Sequence, residues 1–332
     1  MDRAIENAVR FLESRQLPSG EIPVFTSRAS VNHNERVPDP SIFPTALVAR
    51  ALVDVPRATR VRDRALDYLV AEQDADGLWR HWPRAHPHHH ELPPDLDDTS
   101  VASMALLRGG REVPANRELL LANRDARGLF YTWVTPRLQR SVDRRHRRIT
   151  RAQLRHPLVL FLFFRRTSAS PRDVDAVVNA NVISYLGARD ETRAAIAHLL
   201  DVLRANRETS CDKWYENPFA VWYAFSHALH ACAPEAGAII TSRIAAATPA
   251  NALELALATS AMSLWNETPD ATSLLDAQLP SGGWPHARLY HGGRARKRDG
   301  SFDAPHPDTP HWGSEELTTA FCIEALARAG MR

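Results

Sequence analysis

Lysine is almost absent from this sequence of 332 residues, and cysteine is rare. The positive charge comes from arginine, with lysine only at Lys213 and Lys297, and the formal net charge is +2. A charge this close to neutral gives no reason to expect nucleic acid as a partner. Cys211, Cys232 and Cys322 form an odd, scattered set, so the sequence predicts neither a disulfide framework nor a cysteine metal site.

Long apolar runs are also missing. No run approaches the roughly 18 apolar residues of a membrane-spanning helix. The first six residues, which begin Met1-Asp2-Arg3, are charged and do not resemble the apolar core of a signal peptide. We therefore expect a cytoplasmic protein, with peripheral contact to a membrane surface as an alternative. Because 44% of the residues are apolar, the chain can bury a sizeable core and is expected to be globular.

A short sequence unit recurs along the chain. In each copy an apolar helix end is followed by Gln or Asn, then a polar turn with Gly, then an aromatic residue. The copies span residues 16–25, 73–79, 123–130 and 278–284. The Gln can satisfy carbonyls at a helix end, the Gly permits the turn, and the aromatic ring can pack on the next helix. The unit indicates a repeat architecture.

Two kinds of predicted helix alternate between these units. Six are apolar and rich in small residues, as expected of inner helices: 42–52, 97–107, 176–186, 218–229, 252–264 and 315–326. Six are amphipathic and charged, as expected of outer helices: 2–15, 58–73, 115–123, 191–206, 235–247 and 269–278. Strict alternation predicts an all-α fold, an (α/α)6 toroid that occupies residues 1–332 as a single domain. An open solenoid of helical hairpins is the alternative, although the uneven spacing of the units disfavours it.

An acidic motif opens the second inner helix. Three carboxylates, those of Asp95, Asp97 and Asp98, follow two prolines within four residues. One carboxylate would suffice as an N-cap, and three repel one another. The parallel inner helices should place their N-termini at one end of the ring, where the helix dipoles stabilise negative charge. Burial acts the other way and favours a protonated carboxyl. The motif therefore predicts a strong acid that can protonate a carbon–carbon double bond.

These features resemble a known family. The Gln-to-aromatic units resemble the QW motifs of squalene-hopene and oxidosqualene cyclases, and residues 95–99 resemble the D-x-D-D-T signature of class II terpene cyclases. Residues 313–320 are similar to the final inner helix of this superfamily. The resemblance implies that Asp97 is the proton donor and that Asp95 and Asp98 tune its acidity. It also implies a linear isoprenoid substrate, either a prenyl diphosphate or a triterpene-type chain.

Other residues are candidates for binding this substrate. Asn179 and Asn181 enter the third inner helix, where Asn is a poor helix former; one of them could orient Asp97, with a cap and a satisfied buried amide as the alternative. Aromatic faces can stabilise a carbocation, which makes further side chains candidates, although aromatic residues at helical spacing more often belong to a core. These are Tyr215, Trp222, Tyr223, Trp265 and Trp312.

Two charged segments have simpler explanations. Glu315 begins the last inner helix and is a candidate cavity carboxylate, whereas a favourable charge at a helix N-terminus explains it more simply. The histidines of residues 86–90 lie in a proline-rich loop, where adjacent side chains rarely converge on one ion. We predict no metal site and no required cofactor; Mg²⁺ would matter only if the substrate keeps a diphosphate.

Residues 134–172 interrupt the alternation and form a predicted insertion. They carry a dense run of arginines followed by an apolar stretch at 157–164 and two more arginines. The arginines of the run are Arg137, Arg140, Arg144, Arg145, Arg147, Arg148, Arg151 and Arg155. Such a segment suits contact with an anionic membrane, or a lid over the cavity in place of the second helical domain that family members usually have. A homodimer contact and a charged loop leading into a buried helix are the alternatives.

The sequence thus favours a protonation-initiated terpene cyclase or isomerase. A carbohydrate-active (α/α)6 enzyme is a second hypothesis, with Asp97 and Glu315 as its acid–base pair in an open groove. A non-catalytic lipid-binding toroid is a third, and it predicts that the motif carboxylates lie at the surface.

Overall fold

The computed structural model describes most of the chain, namely residues 1–29, 35–74, 76–136, 144–155, 157–215, 217–297 and 302–330. Within these residues the helices are numbered in chain order from α1 to α14. Arg137 and Arg140 of the predicted insertion lie outside the described residues.

The centre of the molecule is a closed ring of six helices. They are α2 (Ile42–Ala51), α4 (Leu96–Arg108), α8 (Ala176–Leu186), α10 (Pro218–Leu229), α12 (Ala252–Leu264) and α14 (Glu315–Gly330). Each packs against the next along the chain, and α14 packs against α2 to close the ring. Small residues on all sides, such as Ala102, Ala180 and Ala256, are fully buried and allow this close approach. The predicted (α/α)6 toroid is confirmed, and the open solenoid is not.

A second layer of helices surrounds the ring. Its members are α1 (Asp2–Arg15), α3 (Thr59–Glu72), α5 (Arg117–Ala122), α9 (Arg193–Arg204), α11 (Glu235–Ala246) and α13 (Thr272–Asp276). They bury one apolar face, as in α1, where Ile5, Phe11 and Leu12 face the core. The predicted order of inner and outer helices is therefore the observed one, and most boundaries agree within a few residues.

The Gln-to-aromatic units connect neighbouring outer helices. The Gln16 side-chain amide donates to the carbonyl of Gly20 and to that of Val61 in α3. The Gln278 amide donates in the same way to Gly282 and to Ala4 of α1, so it joins the last outer helix to the first. These glutamines therefore close the outer layer.

In three of the four units the backbone N–H of the aromatic residue, Trp79, Phe130 or Trp284, donates to a side chain of an inner helix. The Trp79 backbone N–H donates to Thr99 Oγ1 on α4, and the Trp284 N–H donates to Thr319 Oγ1 on α14. Gly282 turns the chain with φ of +93°, and a Cβ there would lie 2.6 Å from the Asn7 carbonyl oxygen. The glycine is thus required by both conformation and space.

A small antiparallel sheet that the sequence did not predict lies at one end of the ring. Its strands pair in the order β2–β1–β4–β3, and their ranges are β1 (Phe25–Ser27), β2 (Val37–Pro38), β3 (Ala287–His291) and β4 (His311–Ser314). The central pairing joins Phe25 to Gly313 and Thr26 to Trp312. It links the loop after α1 to the segment before α14.

The insertion forms two helices outside the ring, α6 (Arg144–Leu154) and α7 (Pro157–Arg166). The apolar stretch is therefore helical, but α7 contains no buried residue, so it is not the buried helix that one alternative predicted. In the described part of the chain, no helix is both long enough and apolar enough to cross a membrane.

Candidate active site

The acidic motif is fixed between two loops at the start of α4. Asp95 is the N-cap, and its Oδ1 accepts a hydrogen bond of 2.8 Å from the Asp98 backbone N–H. The Leu96 N–H donates to the Thr132 carbonyl, and the Val134 N–H donates to the Pro94 carbonyl. As the sequence indicated, one carboxylate is enough to cap the helix, so the Asp97 side chain is not used for capping.

Asp97 accepts one hydrogen bond at each carboxylate oxygen. The Asn181 side-chain amide of α8 donates to Oδ1 at 2.6 Å, and the Tyr215 hydroxyl donates to Oδ2 at 2.9 Å. Asn181 and Tyr215 are nearly inaccessible to solvent, whereas Asp97 is partly accessible because it borders a cavity. The geometry thus places Asp97 at the cavity with its orientation fixed from both sides.

Arg50 determines which way the Asn181 amide points. This arginine is buried on α2, and its Nη1 donates to Asn181 Oδ1 at 3.1 Å. The amide oxygen faces a guanidinium, so the amide nitrogen must face Asp97. Asn181 is therefore a hydrogen-bond donor to Asp97, and the Arg50 charge also favours the ionised carboxylate.

The three carboxyl groups of the motif resist ionisation. Burial and, to a lesser extent, the charge of Asp95 raise the pKa of Asp97, while Asn181, Tyr215 and Arg50 lower it, and the balance leaves this pKa at about 7. Burial also raises the pKa of Asp95 and lifts that of Asp98 well above its usual range, where the charge of Asp95 adds to the effect. Asp95 and Asp98 hydrogen-bond to each other. Of these two carboxyl groups, Asp98 therefore has the stronger tendency to hold a proton.

Tyr215 is held in place by its backbone. Asp212 Oδ1 accepts from the N–H groups of Trp214 and Tyr215, and its Oδ2 accepts from the Val177 N–H at the start of α8. The Arg294 guanidinium donates to the Asp212 carbonyl. Tyr215 is therefore presented to Asp97 by a segment that is bound on two sides.

The cavity beside Asp97 has a volume of about 1040 Å³ and lies at the N-terminal end of the inner helices. This is the size range of sites that enclose small organic ligands. Aromatic rings form much of its wall, and they contact one another edge to face or stacked. These rings are Phe43, Trp82, Trp133, Phe163, Trp214, Tyr215, Tyr290 and Trp312. Such a wall can stabilise a cation that forms within it.

Trp312 is a predicted substrate-binding residue that the structure places at the cavity. Its ring stacks on Tyr290 with centroids 5.3 Å apart, and its indole N–H donates to Asp39 Oδ2 at 2.7 Å. Because Asp39 takes up the polar edge, the ring presents its faces to its neighbours and to the cavity.

The remaining predicted binding residues do not line the cavity. The Asn179 side chain accepts from the Phe130 backbone N–H and donates to the Phe130 carbonyl. It is therefore a satisfied buried amide, which was one of the alternatives for this residue. Trp222 donates to Glu208, Tyr223 donates to Glu324, and Trp265 donates to Ser226. These three lie within or after their helices, away from the N-terminal ends where the cavity forms.

Glu315 is half-buried at the start of α14 and is likewise absent from the cavity wall. The acid–base pair of the carbohydrate hypothesis is therefore not brought together. The lipid-binding hypothesis predicted surface carboxylates, whereas Asp95 and Asp98 are 6% and 2% exposed.

The histidines near the motif have local partners. His86 pairs with Asp39, His88 pairs with Glu91, and the His89 ring bonds the Trp82 carbonyl. Among the described residues, no three His, Cys, Asp or Glu side chains form a group that could hold a metal ion.

His81 is a cavity residue that the sequence did not point to. Burial lowers its pKa to about 4, so its imidazole is neutral at pH 7. Its Nε2 is buried and has no hydrogen-bond partner among the described residues. It adjoins the aromatic wall, with its ring centroid 5.0 Å from that of Trp312.

The missed wall residues share one position in the chain. Trp82, Trp133, Trp214 and Tyr290 all lie in segments that precede an inner helix. The ring brings those segments together at one end. An aromatic residue between an outer and an inner helix is thus the signal that would have found them.

Solved structures show what this arrangement is similar to. No protein-family model matches the chain, and no curated protein matches it. A crystal structure of a protein from Actinoplanes has a TM-score of 0.65 at 19% identity and covers 99% of both chains. The type II terpene cyclase MstE from Scytonema has a TM-score of 0.65 at 16% identity, over 99% of this chain and 98% of that chain.

A further neighbour, ent-copalyl diphosphate synthase from Streptomyces platensis, has a TM-score of 0.57 at 19% identity, over 87% of this chain and 50% of that chain. A variant of MstE has been solved with geranylgeranyl dihydroxybenzoate as its substrate. At these identities the likeness shows the fold alone. The chain has the fold of the type II terpene cyclases.

Proposed function

We propose that this protein is a protonation-initiated cyclase or isomerase of a linear isoprenoid, with Asp97 as the general acid. One observation carries the proposal: a carboxyl group with a pKa of about 7 borders a cavity with aromatic walls. A general acid works best when its pKa is close to the working pH. The fold shared with type II terpene cyclases supports the same reaction class.

The reaction begins with proton transfer from Asp97 to a terminal double bond. The π electrons of the alkene form a new C–H bond, the O–H bond of the carboxyl breaks, and a carbocation remains. The ionised Asp97 then keeps its two donors, Asn181 and Tyr215, which stabilise the carboxylate and so strengthen the acid. Cyclisation follows when a second double bond attacks the cation.

The cation meets aromatic faces as it moves along the cavity. Trp312 and Tyr290 offer a stacked pair, and Trp133 and Trp214 offer another wall. Attraction to the ring faces is strongest where water is excluded. The aromatic side chains therefore stabilise the charge without reacting with it.

The last step needs a base, and we assign it to His81. Its neutral imidazole has an unpartnered Nε2 beside the aromatic wall. Loss of a proton to this nitrogen breaks a C–H bond of the cation and leaves an alkene, so substrate and product are isomers. The proton then has to return to Asp97 before the next turnover.

The head group of the substrate would lie towards the basic side of the cavity. Arg165 and Arg166 line it there, and their guanidiniums suit a diphosphate or a carboxylate. Protonation itself needs no cofactor, and Mg²⁺ enters only with a substrate that retains a diphosphate. A prenylated aromatic acid is a candidate substrate that has a carboxylate head group instead of a diphosphate.

The test is incubation of the purified protein with linear substrates that differ in head group. These are farnesyl and geranylgeranyl diphosphate, a geranylgeranylated hydroxybenzoate, and squalene. We expect a cyclic isomer of at least one substrate from the wild type and none from Asp97→Asn. Equal product from Asp97→Asn would remove Asp97 as the acid, and ligand retention without turnover would favour the lipid-binding hypothesis.

A further inference from the structure

Helix α7 presents apolar side chains to solvent. Leu158 and Phe161 are 65% and 59% exposed, and Leu154 at the end of α6 is 56% exposed. Among the described residues, these three are the most exposed of the large hydrophobic side chains. A helix with apolar residues on all sides is normally buried. This surface, Leu154, Leu158 and Phe161, is called the apolar face below.

The opposite side of the same helix belongs to the cavity. Val159, Leu162 and Phe163 line it, and the Phe163 ring contacts that of Trp133 with centroids 5.1 Å apart. One helix thus separates the cavity from the apolar face. A molecule that leaves an apolar phase at this face has the cavity directly behind it.

Helix α6 is attached to the body of the protein, which fixes the position of the apolar face. Ile149 is buried, the Gln153 amide donates to the Val134 carbonyl, and Arg148 pairs with Asp76. The exposure of the apolar face is therefore a property of the folded protein.

Basic side chains accompany the apolar face along the chain. Four arginines of α6 and the turn after it are exposed, and no carboxylate of the described residues lies within ion-pair distance of them. They are Arg144, Arg147, Arg151 and Arg155. Apolar groups beside unpaired positive charge match a bilayer surface with anionic lipids. A second copy of this chain would bring the same positive charges together.

We propose that α6 and α7 dock on an anionic membrane surface, with the apolar face inserted among the lipids and the arginines at the head groups. An isoprenoid dissolved in the bilayer would then reach the cavity past α7 without crossing water. This route for the substrate rests on the proposed function, whereas the docking itself does not.

The test is flotation of the full chain with lipid vesicles. Vesicles of phosphatidylcholine with about 30% phosphatidylserine should carry the protein, and about 1 M salt should release much of it. Leu158→Ser/Phe161→Ser should weaken binding by about tenfold or more. Arg147→Gln/Arg151→Gln should weaken it on anionic vesicles and reduce its dependence on salt.

Leu107→Ser is the matched control. Leu107 is 44% exposed at the other end of the ring, so its loss should leave vesicle binding unchanged. Thermal unfolding of each variant shows that it has folded. Failure of the wild type to float with anionic vesicles would overturn the proposal, as would equal binding by Leu158→Ser/Phe161→Ser. So would a dimer in light scattering that this double variant converts to a monomer, because a second copy would then cover the face.

The assay contains no isoprenoid and measures no turnover. Loss of vesicle binding with cyclisation intact would therefore reject the docking alone. Vesicle binding without any cyclic product would reject the proposed function alone.

Discussion

Asp97 is subject to opposing influences within a few ångströms. Burial and the Asp95 charge favour its protonated form, while Asn181, Tyr215 and Arg50 favour its ionised form. The first group keeps the proton on the carboxyl near neutral pH. The second stabilises the carboxylate that remains after the proton has left. An acid with both properties is available for proton transfer and strong when transfer occurs.

The pH dependence of the reaction follows from this balance. Turnover requires the protonated carboxyl, which is present below a pKa of about 7 and lost above it. We expect kcat/KM to fall by about tenfold for each pH unit above 7. Initial rates between pH 5.5 and 9, measured with one substrate, check this, and a rate that rises through pH 7 would contradict the role of Asp97 as an acid.

The two donors to Asp97 should set the midpoint of that profile. Asn181→Leu or Tyr215→Phe removes a hydrogen bond that the ionised form prefers, so the pKa of Asp97 should rise by about one unit. The rate should then persist to higher pH while its plateau falls. Tyr185→Phe is the control, because Tyr185 is equally buried on α8 but donates to Asn116. A midpoint unchanged in Asn181→Leu and Tyr215→Phe would show that the donors do not tune the acid.

The free energy of unfolding should also depend on the ionisation of Asp97. The folded pKa of about 7 lies above the value of about 3.9 in an unfolded chain, so folding takes up a proton between these values. Stability from this group is present at low pH and is lost as pH rises to 7. Asp97→Asn cannot ionise, and its amide can still accept from Asn181 and donate to Tyr215.

We therefore compare the free energy of unfolding of Asp97→Asn with that of the wild type. From pH 4 to pH 8 this difference should shift in favour of Asp97→Asn by up to about 4 kcal/mol. Urea unfolding at both values measures the difference, and titrating groups that do not interact with Asp97 cancel between the two proteins. The same gap at pH 4 and pH 8 would mean that the folded pKa of Asp97 is not raised.

At the scale of residues, the sequence predicted the motif and two of its neighbours. Asn181 stood out as a poor helix former in an apolar stretch, and Tyr215 stood out as an aromatic residue before an inner helix. Arg50 did not, since an arginine near a helix end is usually solvated, and only the ring brings it to Asn181. Trp222 and Tyr223 were predicted from aromatic character, but helical phase and depth place them away from the cavity.

Among the elements, the turns between helices have a specific function. The Gln278 amide joins the turn after α13 to α1, and the Trp284 indole N–H donates to the Leu274 carbonyl of the same outer helix. This turn thus holds α13 to α1, and its tryptophan is bonded to α13. The ring is closed by hydrogen bonds between the ends of the chain.

Gln278→Ala should therefore destabilise the protein. It removes two hydrogen bonds and leaves the Ala4 and Gly282 carbonyls without the amide, at a cost of about 2 kcal/mol. Gln73→Ala is the control at the equivalent position, because the Gln73 side chain makes no hydrogen bond within the described residues; its cost should be below about 0.5 kcal/mol. Urea unfolding of both variants compares them, and equal losses would show that the Gln278 contacts do not hold the ring closed.

Helices were predictable because their periodicity is local. All six inner helices appeared in the sequence as apolar stretches with small residues, and the structure agrees. The sheet was not predictable, because its strands have two to five residues and pair across almost the whole chain, as Thr26 does with Trp312. No local pattern reports such a pairing. The apolar run of α7 was visible in the sequence, which left open whether the run is exposed or buried.

For the whole molecule, ring closure is what creates the site. The acid on α4, its donors from α8 and the segment before α10, and the wall before α14 meet only because six inner helices are parallel and closed. The sheet and α7 complete the cavity. The structural match to MstE covers 98% of that chain, so MstE is a type II terpene cyclase whose structure has about the same extent as the single toroid described here.

The origin of the first proton tests the central claim most directly. The protein is incubated with a linear substrate that it cyclises, in buffered deuterium oxide, after Asp97 has exchanged with the solvent. The account predicts a cyclic product that carries one deuterium on the carbon protonated first, and no product from Asp97→Asn. A product formed without deuterium, or formed equally well by Asp97→Asn, would contradict it.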